Sequence, residues 1–393
     1  MATAETELLI RTRRDLHQHP ELAYQEHRTA GIVAERLRAA GYHVQTGIAE
    51  TGVVGTLHGG AGDGPTLLLR ADMDALPIVE ETEHYFRSTV AGQMHACGHD
   101  AHTAIGLAVA ERLAARRGEW SGTVKYVFQP AEEGGQGALR MIEQGVLEGV
   151  DMALGLHVWM GLPSGVVGVT PGPFMASAGE FELTVRGRGG HGAMPEQTVD
   201  AVVIGSQVVV ALQSIVSRTV SPLDSAVVSV GSFHAGSAQN VIAESARMLG
   251  TVRAFDVDAC RELPRRIERI ARGICEAMGA ACDFHYTHDT PPTINDPRMA
   301  GLVRAAAEEV VGAGRVRFGP EVRTMAAEDF GEFLLRVPGC YFFVGAMNEE
   351  TGAVHPHHNP RFDICEACMP VGVDVLERAA LRALSAGAGS ATG

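Results

Sequence analysis

Three things are scarce in this 393-residue chain. Positive charge is one: 32 lysines and arginines face 47 aspartates and glutamates, a formal net charge of -15. That balance opposes attraction to phosphate backbones or anionic lipid and argues against a nucleic-acid partner. Long apolar runs are another. The opening MATAETELLIRTRRDLHQHP lacks the apolar stretch and small-residue cleavage site of a secretory signal. No later run reaches the roughly 18 apolar residues of a membrane span, so a cytoplasmic protein with no membrane partner is expected. Cysteine is the third: seven, an odd number thinly spread, do not make the disulfide framework of a small secreted domain, and reduced thiols are expected. Aromatics are only 5%, which defines no aryl pocket, and there is no internal repeat or low-complexity block. What is present is ordinary globular material, 46% hydrophobic and 20% charged, which excludes wholesale disorder, collagen and coiled coil. At roughly 150 residues per domain the length implies two or three domains.

Helical and strand-like patterns alternate at first: helices over 8–16 and 29–40, strands over 52–57 and 66–69, a helix over 101–115. A strand over 123–128, a helix over 137–144 and a strand over 152–156 follow. Short apolar runs in this alternation predict an α/β fold with a mostly parallel sheet covered by helices. After Pro171-Gly172-Pro173 the order becomes strand 180–185, helix 199–216, strand 225–233, strand 246–254, helix 263–278 and strand 281–286. That β-α-β-β-α-β order is ferredoxin-like α+β. Past Pro291-Pro292 the first style resumes with two helices, a strand over 340–344 and a long last helix, and the terminal SAGAGSATG reads as a frayed tail. The expected organisation is one discontinuous domain, 1–176 with 291–393, interrupted by a second at 177–290.

Polar clusters fall at the ends of the strands. Strand 66–69 runs into Asp72 and Asp74, strand 123–128 into Glu132 and Glu133, and strand 152–156 into His157. Open α/β sheets bind ligands at the carboxyl ends of their strands, so these groups converge on one crevice. Singly, each could be a solvated carboxylate or a satisfied core histidine. Ahead of a helix, MHACGHDAHTA packs His95, Cys97, His99, Asp100 and His102 into eight positions. Thiolate, imidazole and carboxylate together are the ligand set of zinc and related metals, and the bland alternative is a histidine-rich helix start. Asp100 is the natural carboxylate to hold the second nitrogen of a metal histidine. One glutamate of Glu132-Glu133 can bind metal while the other stays free as a base, although a helix N-terminus also favours acids. His355, His357 and His358 lie in a proline-broken loop and offer a closing ligand or a surface cluster. His191 sits in the glycine-rich turn GRGGHGAMP, which lacks the ending of a phosphate-binding loop. A histidine on such a turn suits charge on a substrate oxygen. Asn240 and Arg253 could bind a carboxylate or be structural, and Cys365 with Cys368 is a lone CxxC that reads as helix packing.

RRDLHQHPELAYQE, LLRADMDALPI, MHACGHDAHTA, VFQPAEEGGQGA, GLHVW, GGHGAMP, AAEDF and HHNPRFD, in this order over nearly the whole chain, resemble the amidohydrolase branch of the aminoacylase and carboxypeptidase metallopeptidases. That branch includes hippurate hydrolases, indoleacetyl-amino-acid hydrolases and N-acetyldiaminopimelate deacetylases. The resemblance implies a catalytic domain with two divalent ions per subunit and an inserted lid domain that mediates a homodimer or higher homo-oligomer; by donor type, thiolate with imidazole favours zinc, nickel or cobalt and the carboxylates admit manganese, so manganese or zinc is expected with nickel or cobalt as options. It implies Cys97, His99, Glu133, His157 and His358 as metal ligands and Glu132 as general base. Asp72, Asp74 and Pro77 occupy the histidine, aspartate and proline positions of the wider family's strand motif, with Asp74 in the catalytic set, and Cys97 replaces a bridging aspartate. His191 matches a lid histidine that polarises the scissile carbonyl, and Asn240 and Arg253 match positions that grip a substrate carboxylate. Glu328 and Asp329 match a motif lining the site, without an assigned role. The implied reaction is hydrolysis of N-acyl-amino acids. A dipeptidase or aminopeptidase on the same scaffold, or a non-catalytic metal binder, are the rivals.

Overall fold

The computed structural model describes residues 3–387. The chain divides into two compact units: Met1–Phe174 with Ile294–Arg323 and Asp329–Gly393, and Met175–Thr293 with Thr324–Glu328.

The first unit opens with α1 (Ala4–Gln18), whose Thr3 hydroxyl accepts from the Thr6 amide, and α2 (His27–Ala39). The hairpin β1 (His43–Ile48) and β2 (Gly52–His58) precedes β3 (Thr66–Asp72), α3 (His99–Ala115), β4 (Thr123–Gln129) and α4 (Gly137–Glu143). Then come β5 (Met152–Pro163), β6 (Val167–Val169) and β7 (Gly172–Met175). β3 is buried from Leu67 through Asp72, and α3 is buried on every side from His99 to Ala110. A strand and a helix buried on all sides are interior elements, and α3 lies in the main core with Leu69, Phe128 and Leu156.

The second unit contains β8 (Ala178–Arg186), β9 (Gly190–His191), α5 (Ala201–Thr219), β10 (Ala226–Ala235), β11 (Val241–Ile242), β12 (Ser245–Ala254), α6 (Val257–Ala277) and β13 (Ala281–Thr290). Its four-stranded antiparallel sheet has the order β10-β12-β8-β13, the ferredoxin-like arrangement expected from the element order. Asp200 and Asp256 cap α5 and α6. Contrary to the sequence expectation, α5 is by length and composition apolar enough to cross a membrane. The reason is local: its stripe Ile204, Val208, Leu212 and Ile215 is buried in the second unit's own core.

The chain returns to the first unit through β14 (Thr293–Asn295), α7 (Pro297–Val311), β15 (Val316–Phe318), α8 (Gly331–Leu334), β16 (Gly339–Met347) and α9 (Cys368–Gly387). Residues 388–393 of the expected tail lie outside the described residues. The eight-stranded sheet has the order β1-β2-β4-β3-β5-β16-β6-β15. Its centre, β4-β3-β5-β16, is parallel, and β1 and β2 are antiparallel to their neighbours. From β3 the chain crosses through α3 to β4 on one flank and then through α4 to β5 on the other. The carboxyl ends of β3, β4 and β5 are therefore the switch point where such sheets open a crevice.

Candidate metal centre

Three strand ends, the start of α3 and one loop supply the site. Cys97 and His99 flank Gly98, which has φ +95° and whose Cβ would stand 2.5 Å from Val158 Cγ2. Only glycine fits that turn, and it presses the two donors against β5.

Hydrogen bonds fix which nitrogen of each imidazole is free. His99 Nδ1 lies 2.9 Å from the Asp74 carbonyl and 3.2 Å from its Oδ1, so it carries the proton, and Nε2 is buried without a partner. His157 Nδ1 donates to the Val158 carbonyl at 2.6 Å, which leaves Nε2 as an acceptor 3.5 Å from Cys97 Sγ. His358 Nε2 is 3.1 Å from Glu133 Oε1, and its amide donates to the Ala96 carbonyl. Asp74 Oδ2 accepts the Glu133 amide at 3.0 Å, so Asp74 orients His99 and Glu133 together. Glu132 Oε1 is 3.4 Å from the Asp329 amide.

The donor atoms of Cys97, His99 and His157 lie within 4.8 Å of one another, as do those of Cys97, Glu133 and His358, and of His99, Glu132 and Glu133. Cys97, His99 and Glu133 each belong to two of these three groups, so the groups adjoin. The electrostatics fit a cation. Burial pushes the His99 proton off, yet Asp72, Asp74 and Glu133 overcome it and raise the imidazole to about 10. Burial, then Glu133, Glu132 and Asp72, push the Cys97 thiol well up. A pocket that clings to a proton and refuses a thiolate has surplus negative charge, which a divalent ion neutralises. Burial, with His102 and His357, holds His157 neutral, as a ligand must be.

Asp100 is the correction. It receives Arg13 Nε at 3.0 Å and His17 Nδ1 at 2.8 Å, and Asp74 takes the role it was expected to fill beside His99. His95 is buried with neither ring nitrogen partnered. His355 belongs to none of the donor groups, whereas His357 Nδ1 stands 3.9 Å from Cys97 Sγ and its Nε2 accepts the Met160 amide. Cys365 and Cys368 are buried in the main core, where the Cys368 amide donates to the Cys365 carbonyl. In the second unit His191 is exposed on β9, paired with Val241 of β11, and the Asn240 carbonyl accepts the Gly192 amide beside it. Arg253 lies on β12 with Nη1 on the Val252 carbonyl at 3.0 Å, away from that pair in the topology.

The sequence reading passed over Arg70. Fully buried, it donates to Asp72, to Gln129 Oε1 at 2.9 Å and to Asp329 Oδ1 at 2.9 Å. Its signal was available: a lone cation inside LLLRADM, a strand with no solvent-facing side.

A model of peptidase family M20/M25/M40 matches residues 68–382. N-acetylcysteine deacetylase of Bacillus subtilis is 39% identical over 364 residues, 92% of this chain and 93% of the relative. Thermostable carboxypeptidase 1 of Saccharolobus solfataricus is 39% identical over 368 residues, covering 93% and 92%. The crystal structure of the Bacillus subtilis YXEP protein, described as a dinuclear metal binding peptidase, superposes with a TM-score of 0.84 at 34% identity over 97% of this chain and 99% of that one.

Proposed function

From the premise that this chain belongs to peptidase family M20/M25/M40 and is a metal-dependent amide hydrolase, we infer that its substrates are N-acyl-amino acids, cleaved to a carboxylic acid and a free amino acid. The similarity to both a deacetylase and a carboxypeptidase supports this. Each of those names describes an amide whose leaving group is an amino acid with a free carboxylate. The observation that carries the reading is Glu132, a carboxylate poised beside two donor groups that share Cys97.

Cys97, His99, Glu133, His157 and His358 would hold two divalent ions, manganese or zinc, with nickel and cobalt as alternatives. Bound there, such ions supply Lewis acidity to a carbonyl and acidify water. Glu132 takes a proton from the attacking water and returns it to the leaving nitrogen, so one carboxylate serves as base and then as acid. Asp74 keeps His99 and Glu133 aimed. His191 donates to the developing oxyanion, and the substrate carboxylate has two candidate partners that lie apart in this chain, Asn240 beside His191 and Arg253 at the far end of β12. The homodimer implied by the sequence belongs to the same proposal. Glu132→Gln is expected to keep its metal content, measured by elemental analysis, while kcat falls by about 10²–10⁴-fold. Undiminished turnover in that variant would overturn the assignment.

A further inference from the structure

β3 and β5 run side by side only as far as the pair Arg70 and Gly155. Beyond that point β5 keeps β16 on one flank and has the crevice on the other. Val158 lies three residues into this stretch, and side chains take up its peptide. Its amide donates to His102 Nε2 at 2.9 Å, and its carbonyl accepts His157 Nδ1 at 2.6 Å.

We propose that His102 is a positioning residue for the metal ligand His157, acting by clamping the Val158 peptide whose oxygen sets the tautomer and aim of the His157 ring. Because His102 Nε2 accepts a hydrogen bond, its proton is on Nδ1, which donates to Asp72 Oδ1 at 2.6 Å. Asp72 is held in turn by Arg70 at its other oxygen and by the Thr103 hydroxyl at its carbonyl. Arg70, Asp72 and His102 are all buried. Both His102 nitrogens are occupied, so it is no ligand, although its atoms lie near those of Asp72 and His99. The clamp reaches Cys97 as well. Val158 Cγ2 stands 2.5 Å from where a Cβ on Gly98 would be, so a shift of that residue disturbs the turn carrying both Cys97 and His99. This stretch of β5 is paired on one flank only, and removing the partner that orients a metal histidine costs about 10–100-fold in metal affinity.

The inference rests on His157 being a ligand, and the test separates the two ideas. Glutamine at this position can place its side-chain oxygen near the site of Nε2 and accept the Val158 amide, whereas asparagine reaches only Asp72. Cobalt affinity, measured by chelator competition on the full chain, is expected to stay within a few-fold of the parent in His102→Gln and to fall about tenfold or more in His102→Asn. In the cobalt-loaded protein the hyperfine-shifted N–H proton of His157 is expected to exchange with solvent faster in His102→Asn than in His102→Gln. A purely structural role would not produce that difference. Equal affinities in the two variants, or tighter binding in His102→Asn, would overturn the clamp. Full affinity in His157→Asn would overturn His157 as a ligand, and the clamp with it. The metal-free parent gives a check that depends on no variant: nitrogen-15 NMR is expected to show His102 protonated at Nδ1, and protonation at Nε2 instead would contradict the proposal.

Discussion

His99 turns Nε2 toward the other donors, while Asp100, one residue on and about 100° around α3, turns toward α1. Adjacency in sequence made Asp100 look like the support for a metal histidine, and helical geometry sends it elsewhere. His102, three residues past His99, returns to the same face. Glu132, Glu133 and His157 were legible because each follows an apolar strand, where a polar group has the crevice to face, Cys97 and His99 because they crowd the start of α3, and His358 as one of three histidines in a loop. The supporting roles of Asp74 and His102, both already named as candidates, and of Arg70, which was not, stayed hidden because they act through bonds to residues far away in sequence. On the other side of α3, burial opposes a charge on His17, but the hydrogen bonds it donates to Asp100 and Glu80 outweigh burial and the nearby Arg13, raising His17 to about 9. A group raised in the folded state stabilises fully below its unfolded value, near 6.5, and loses that contribution as pH rises through about 9. The contribution is roughly 3 kcal/mol. Urea midpoints at pH 6 and pH 10 are expected to differ by less in His17→Gln than in the parent, and an unchanged difference would show that His17 is not the titrating group.

At the scale of elements, Arg13 joins α1 to two other parts of the chain. Arg13, fully buried, reaches Asp100 on α3 and also Asp363 and Glu366 in the segment that follows His358. Three carboxylates around one guanidinium are stable only while it is there. Arg13→Met is therefore expected to cost about 3–5 kcal/mol in denaturant unfolding. A loss below 1 kcal/mol would mean that water reaches these carboxylates readily. Helix and strand order was largely legible because apolar runs and helical periodicity are strong in β3, β4, α3 and α7. β1 was not expected, since HVQTGI faces solvent along most of its length and carries no apolar alternation. β5 was expected to stop at Leu156 and runs on to Pro163, because pairing with β16 carries the strand past the residues its own apolar pattern marks.

At the scale of the whole molecule, two cores have grown separately. One is built around α3 and the parallel strands, the other around α5, α6 and the face of a four-stranded sheet. In the first unit Asp72, Asp74 and Glu133 raise His99 to about 10 against its burial, and burial with Glu133, Glu132 and Asp72 keeps the Cys97 thiol protonated. A divalent ion suits that cluster of carboxylates. The central claim is that metal held there lets Glu132 cleave an amide and release an amino acid. The most direct measurement is amino-acid release from a panel of N-acetyl, N-benzoyl and N-fatty-acyl amino acids, alongside free dipeptides, by metal-stripped protein and by protein reloaded with manganese, zinc, cobalt or nickel. The account predicts turnover of acylated substrates only after reloading. Equal turnover without metal, or no turnover of any acylated substrate with metal verifiably bound, would contradict it.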